Sequence, residues 1–312
     1  MSGALQAVLM NQRSFGTPFM DVSTTGSPTI TTDGDFKVVK FTGSGSFTVI
    51  AVGTDLTYGA KVQALVVAGG GSGGVGVWPA GGGGAGGVLS NAALSVTAQT
   101  YTVTVGGGGP AAVKTTASPS GTAPAGNVGD NSVFSSLTAS GGGGGGGASA
   151  ASSGGGSGGG ASSSGSSTGA SGTSGQGNKG GDYVFYQPNK YTYTQASGGG
   201  GGAGAVGGNG NGPGATAGAG GAGTANSITG TSVTYAGGGG STGTVYANTP
   251  FTSVGGSSIG GDGMYSGSSQ NVTGNPGSTN TGSGGGAHAV IGLNSSSGAG
   301  GSGIVIIRYK FQ

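Results

Sequence analysis

Apolar and polar residues alternate in a few short stretches at the two ends of the chain, and almost nowhere between them. Residues 36–42 (Phe-Lys-Val-Val-Lys-Phe-Thr) and 46–52 (Ser-Phe-Thr-Val-Ile-Ala-Val) flank Gly43-Ser44-Gly45, which predicts two strands joined as a hairpin. Residues 61–68, 101–105 and 133–138 predict three more strands, and 303–311 (Gly-Ile-Val-Ile-Ile-Arg-Tyr-Lys-Phe) predicts a last one. In that last stretch Arg308 and Lys310 fall on one face, and Ile307, Tyr309 and Phe311 on the other. No segment repeats apolar residues with a 3.6-residue period, so almost no α-helix is expected. The pattern predicts an all-β protein with a small antiparallel base that the C-terminal strand closes.

Between Thr138 and Gly303 the pattern disappears for about 160 residues, far longer than a structureless loop in a compact domain. This middle must therefore have an architecture of its own, and its composition says which. The chain holds 85 glycines in 312 residues, many in runs such as 106–109, 141–147, 198–202 and 237–240. A glycine run buries no side chain and loses more conformational entropy on ordering than any other sequence. What it offers is bare backbone. In polyproline-II geometry the chain makes three residues per turn, and every N–H and C=O points outward. Without Cβ atoms, neighbouring rods approach closely enough to pair those groups, as buried amides require. Glycine tracts near 69–87, 106–109, 141–160, 198–223, 237–240, 255–263, 284–286 and 298–303 predict eight such rods, a packed bundle of polyglycine-II helices. The resulting division is an N-terminal docking segment over 1–20, a β-rich base over 21–140 completed by 303–312, and the bundle over 141–302. Within the bundle, the Ser/Gly-rich stretch 148–181 has the composition of a flexible linker.

Charge narrows the functional classes. Charged residues are only 5% of the chain, and the net charge is +2 with no cluster of Lys or Arg, so nucleic acid is not an expected partner. There is no cysteine, hence no disulfide or thiolate metal site. No apolar run reaches the length of a membrane span, and residues 1–10 lack the form of a signal peptide, so release by lysis or by a dedicated machine is the expectation for a protein acting outside the cell.

Candidate chemistry is sparse. His288, the single histidine, lies in Gly-Gly-Gly-Ala-His-Ala and reads as a polar loop residue rather than a member of a triad. Asp33 and Asp35 flank Gly34, a turn signal with too few visible oxygens for a calcium site. Residues 71–76 match a dinucleotide fingerprint in form, but no helix follows. We therefore expect no enzymatic activity, cofactor or metal. The aromatics are the stronger signal. Tyr183, Phe185, Tyr186, Tyr191 and Tyr193 crowd into thirteen residues, and Trp78, Tyr246, Phe251 and Tyr265 interrupt other glycine tracts. Two readings stand: rigid recognition surfaces, including platforms for sugar rings, or caps on the rod ends. The first of these segments can also fold as a hairpin across Pro188-Asn189. Residues 1–20, with Arg13, Phe15 and Phe19, are either a frayed end or a docking peptide.

Residues 62–74, 81–89 and 101–109, with the ending 301–309, resemble the glycine-rich domain of bacteriophage tail-fibre tip adhesins and virion appendage proteins. The resemblance implies a virion structural protein that presents variable loops to a host receptor. Its partners would be other virion proteins of fibre, tail or capsid, and a host surface glycan or outer-membrane protein, with homo-oligomers compatible. A capsid-bound head fibre or decoration protein is the alternative, and a bacterial surface or matrix protein a third class.

Overall fold

The computed structural model describes residues 17–114, 123–147, 150–163, 166–245, 249–266, 273–290 and 295–312. The strands, in chain order, are β1 (Asp21–Thr25), β2 (Thr29–Asp33), β3 (Phe36–Phe41), β4 (Gly45–Ala51), β5 (Lys61–Val67), β6 (Val75–Gly76), β7 (Val88–Ser95), β8 (Gln99–Thr104), β9 (Val113–Lys114), β10 (Ser132–Phe134) and β11 (Leu137–Ala139). They continue with β12 (Val184–Asn189), β13 (Thr192–Ala196), β14 (Thr224–Asn226), β15 (Val233–Tyr235), β16 (Thr242–Val245), β17 (Thr249–Thr252), β18 (Met264–Ser266), β19 (His288–Val290), β20 (Ser295–Ser296) and β21 (Ile304–Lys310). A single 3-10 turn, Gly256–Ser258, is the only helical element among the described residues.

The base is a sandwich of two five-stranded sheets, β1-β4-β8-β10-β11 and β2-β3-β21-β5-β7. Its core is formed by Val39, Phe41, Phe47, Val49, Val66, Val103, Phe134, Val305 and Ile307, all but inaccessible to solvent. Phe47 meets Phe134 and Tyr309 edge to face, with ring centroids 5.9 and 5.8 Å apart. The second sheet is covered on its other face too, where Val38, Leu65, Val67, Ile304 and Ile306 pack against Ile228, Tyr235 and Ala236. That double burial explains why β5 and β21 read as nearly unbroken apolar runs. The expected closure by the C-terminal strand is present: β21 lies between β3 and β5, at the centre of its sheet.

Two local expectations are corrected. β3 and β4 do not pair as a hairpin across Gly43-Ser44-Gly45. They lie in opposite sheets, because burying Val39 and Phe41 against Phe47 and Val49 requires the two strands to face each other across the core. The single strand over 133–138 is two, β10 and β11, turned at Ser135 with a positive φ of 53°.

The glycine tracts form a lattice whose hydrogen bonds step by three residues. Along rod 68–74, Gly69 and Ser72 donate to Asp130 and Asn127, Gly70 and Gly73 to Gly301 and Gly298, and Gly71 and Gly74 to Gly84 and Gly81, all at 2.8–3.1 Å. Successive N–H groups thus point to three different neighbours, as three residues per turn demands. The carbonyls of the same rod accept from Gly142 and Gly145, from Gly109, and from Gly285 and His288, which are three further neighbours. The rod is surrounded on six sides by backbone. A Cβ on Gly70 would land on the Ser283 carbonyl oxygen, and one on Gly83 on the Gly71 carbonyl oxygen.

The lattice departs from the expected boundaries. It begins at Ala68, well before residue 141, and several tracts counted as one rod are two that fold back. Residues 68–74 run out from β5, turn over 75–80 and return as 81–87 into β7. The stretch 148–181, which composition assigns to a linker, is bonded into the lattice in its described parts: Gly158, Gly160 and Ala161 donate to Asn178, Gly82 and Gly181.

Candidate functional site at the distal end

Rod direction fixes where each loop emerges. Rod 68–74 leaves the base, and rods 141–147 and 283–287 run parallel to it, as shown by Gly142 and Gly145 on Gly69 and Ser72, and by Gly285 and His288 on Gly71 and Gly74. The same register makes rods 157–161, 178–182 and 236–240 outbound. Each outbound rod ends at the face remote from the base. There the chain passes into β6, β12, β16 and β19, with β18 lying parallel to β19. A seven-residue rod spans about 22 Å, so these strands form a separate distal surface.

Among the described residues, the distal surface holds two small sheets of three or more strands, beside the two-stranded β9–β20 pair. In the first, β12-β13-β16-β17, the hairpin expected around Pro188-Asn189 is present, its turn at Lys190-Tyr191 closed by Tyr191 N–H donating to Asn189 Oδ1 at 2.9 Å. Cross-strand pairing opposes Phe185, Gln195, Thr244 and Pro250 in turn, so these share one face. Tyr193, two residues from Gln195, stacks beside Phe185 with centroids 6.1 Å apart and planes 27° from parallel. Phe185 and Tyr191 are 52% and 64% exposed. Tyr186 lies on the opposite face, its Cβ against Gly212, and the Phe251 ring covers Gly243. Ala80 exchanges hydrogen bonds with Thr242, which seats the Trp78 loop beside β16. Tyr183 is half-buried at the end of its rod, and burial pushes its phenol up to about 12.

The second sheet, β6-β19-β18, is parallel and carries Tyr265 opposite Ala289. His288, expected as a loop residue, is fully buried in β19. Its Nδ1 lies 2.8 Å from the Ser296 carbonyl, which only a ring N–H can satisfy, so Nε2 accepts from the Ser266 hydroxyl at 2.8 Å. Burial holds its pKa below the ordinary histidine value.

The sequence-selected aromatics therefore divide. Trp78, Phe185, Tyr186, Tyr191, Tyr193, Phe251 and Tyr265 gather at the distal end with Tyr183 beneath them, and Tyr246 lies outside the described residues. Phe19 is at the other pole, under the Lys310 ammonium at 5.2 Å, while Arg13 and Phe15 fall outside the described residues. Asp33 and Asp35 both pair with β21, Asp33 with Arg308 and Asp35 with Lys310 at 3.5 Å, which leaves no free carboxylate pair for a cation. The fingerprint at 71–76 is part of a rod and its distal turn. Among the described residues no group of three or more His, Cys, Asp or Glu could hold a metal, and no helix is long and apolar enough to cross a membrane. Gln195 and Thr244 were not singled out from the sequence, and their only signal is alternation with Tyr193 and Thr242.

The glycine-rich domain family matches over residues 42–310, most of the chain. The chain belongs to that family. Comparison with curated proteins gave no match. The matched range of this glycine-rich domain takes in β4, the whole described lattice and β21, while β1, β2 and β3 precede it.

Proposed function

We propose that the protein is a structural component of a bacteriophage particle, of the tail-fibre adhesin type, whose distal loops recognise the host cell surface. The observation that carries this reading is polarity. Outbound rods place most of the exposed aromatics at one end, and Phe19 and Phe311 lie at the other pole. The rods supply rigidity and spacing, the base supplies the mount, and the loops supply recognition. Such a protein needs neither catalysis nor a cofactor. Its partners are the particle protein that holds the base and a molecule on the host surface. The proximal pole has its own exposed apolar residues for attachment: Leu56 at 98%, Ile50 and Val52.

The test is competition. Purified full-length protein, preincubated with permissive cells, should block adsorption of the particle. Undiminished adsorption, with antibody labelling of the chain on the capsid, would replace this reading with that of a head fibre or decoration protein.

A further inference from the structure

We propose that the open face of the β12–β13 hairpin is a subsite for a neutral sugar, with Phe185 and Tyr193 as its stacking platform. The inference rests on the host-recognition reading and narrows it to a ligand class. The aromatics of this sheet are not equivalent. Tyr183 is half-buried, Tyr186 packs on Gly212 and Phe251 covers its cross-strand partner Gly243, so these rings are engaged in packing. Phe185 and Tyr193 instead present adjacent, nearly parallel rings on a face left open at Phe185. An aromatic face carries partial negative charge, and the C–H bonds on one side of a pyranose ring form a weakly positive, apolar surface that complements it.

The surrounding groups select against other ligands. Residues 183–196 contain one formal charge, Lys190, and β16 and β17 contain none. The Lys190 ammonium sits 4.8 Å from the Tyr191 ring centroid, at the turn and away from the platform's strand positions. An acidic polymer would find no cationic cluster here, and a charged protein surface no complement. What shares the platform's face is carboxamide and hydroxyl: Gln195 and, across from it, Thr244. These both donate and accept, as sugar hydroxyls do. On the platform's own face, Gln195 Oε1 and Thr244 Oγ1 are buried without a hydrogen-bond partner. A bound hydroxyl that draws the Gln195 carboxamide outward satisfies an acceptor that the free protein leaves unpaired.

The experiment titrates the full-length protein with neutral oligosaccharides of glucose, galactose and N-acetylglucosamine, and with heparin as the acidic comparison, following aromatic proton resonances. At least one neutral oligosaccharide should shift the Phe185 and Tyr193 signals, and heparin should not. Phe185→Ala should weaken that binding roughly tenfold or more, about 1.4 kcal/mol, with thermal melting unchanged, and Phe185→Tyr should restore it. Absence of binding by every neutral sugar at about 10 mM, a ceiling weaker than the millimolar range of ordinary weak complexes, overturns the proposal. So does binding that Phe185→Ala leaves intact. A parallel assay separates this failure from that of host recognition. Adsorption of the protein to permissive cells should be lost after periodate treatment, which cleaves sugar diols, and survive protease treatment. The reverse pattern overturns the sugar and keeps host recognition, with a protein as the receptor.

Discussion

Gly144→Ala tests the lattice at one of its crowded points. Gly144 is buried in rod 141–147, and a Cβ there would land on the Gly126 carbonyl oxygen of rod 124–130. That oxygen belongs to backbone, so no rotamer change can clear it. The two rods must separate, and the bonds between them are known: Gly126 N–H to Gly145 O at 2.8 Å and Gly129 N–H to Gly142 O at 2.9 Å. Overpacking alone costs about 1–3 kcal/mol. Each buried amide pair pulled out of reach adds about 1–3 kcal/mol, because no water replaces the partner. The expected loss is therefore about 3–9 kcal/mol, a large share of a typical 5–15 kcal/mol stability. Gly107→Ala is the control. Gly107 is exposed, and its Cβ would meet only the flexible Asp130 carboxylate at 3.2 Å. Its effect should stay within about 0.5 kcal/mol. Thermal melting followed by circular dichroism reads both variants. At roughly 2–4 °C per kcal/mol, Gly144→Ala should melt at least about 6 °C lower than the parent, and Gly107→Ala close to it. Equal melting of the two variants would refute tight rod packing.

Other perturbations address the base and the distal end. Arg308→Ala removes the partner of Asp33, the guanidinium stacked 4.4 Å from the Phe36 ring and a 3.4 Å bond to the Ile228 carbonyl, so it should cost more than the roughly 0–1 kcal/mol of an exposed ion pair; chemical denaturation that finds Arg308→Ala and Asp33→Asn equally mild would contradict this. His288 has a folded-state pKa below its unfolded value, so the unfolded chain binds the proton more readily, and its contribution is complete above about pH 6.5 and falls as pH drops through the folded pKa. Melting temperatures between neutral and mildly acidic pH should therefore fall more steeply in the parent than in His288→Asn, and parallel slopes would exclude the histidine as the cause. Tyr183 is raised to about 12, so its contribution is complete below the unfolded value near 10 and is lost between the two. Burial raises Tyr235 and Tyr309 as well, so phenolate absorbance should show a group of tyrosines ionising late in the folded protein, and Tyr183→Phe should reduce its amplitude by one tyrosine.

The base and the principle of the lattice were legible in the sequence for different reasons. β5, β8 and β21 announce themselves because burial imposes apolar periodicity, and the lattice because only glycine can occupy positions where a carbonyl sits at the site of a missing Cβ. β1 and β2 were not legible: they are exposed edge strands rich in threonine, and little in their burial forces a pattern. The pairing of β3 with β2 and β21 was hidden by a short glycine link that resembles a hairpin turn, although the decision lies in which face each strand buries. Rod number and direction were illegible as well. A glycine run looks the same in either direction, and its reversals occur at short segments such as Trp78-Pro79-Ala80 that carry no strong turn signal. The aromatic clusters of the distal end were visible as interruptions, but only the register of the outbound rods brings them to one surface. The separation of Phe185 and Tyr193 from Tyr186 follows from β12–β13 pairing, which needs the hairpin's register as well as its existence.

Hydrogen exchange of backbone amides tests most directly whether rod-to-rod bonding holds this molecule together. Amides of residues 81–87 and 141–147 should exchange as slowly as those of β5 and β21, since every rod amide in these two segments has a bonded partner. Exchange of those glycine amides at the rate of an unstructured chain, with the strands still protected, would contradict it.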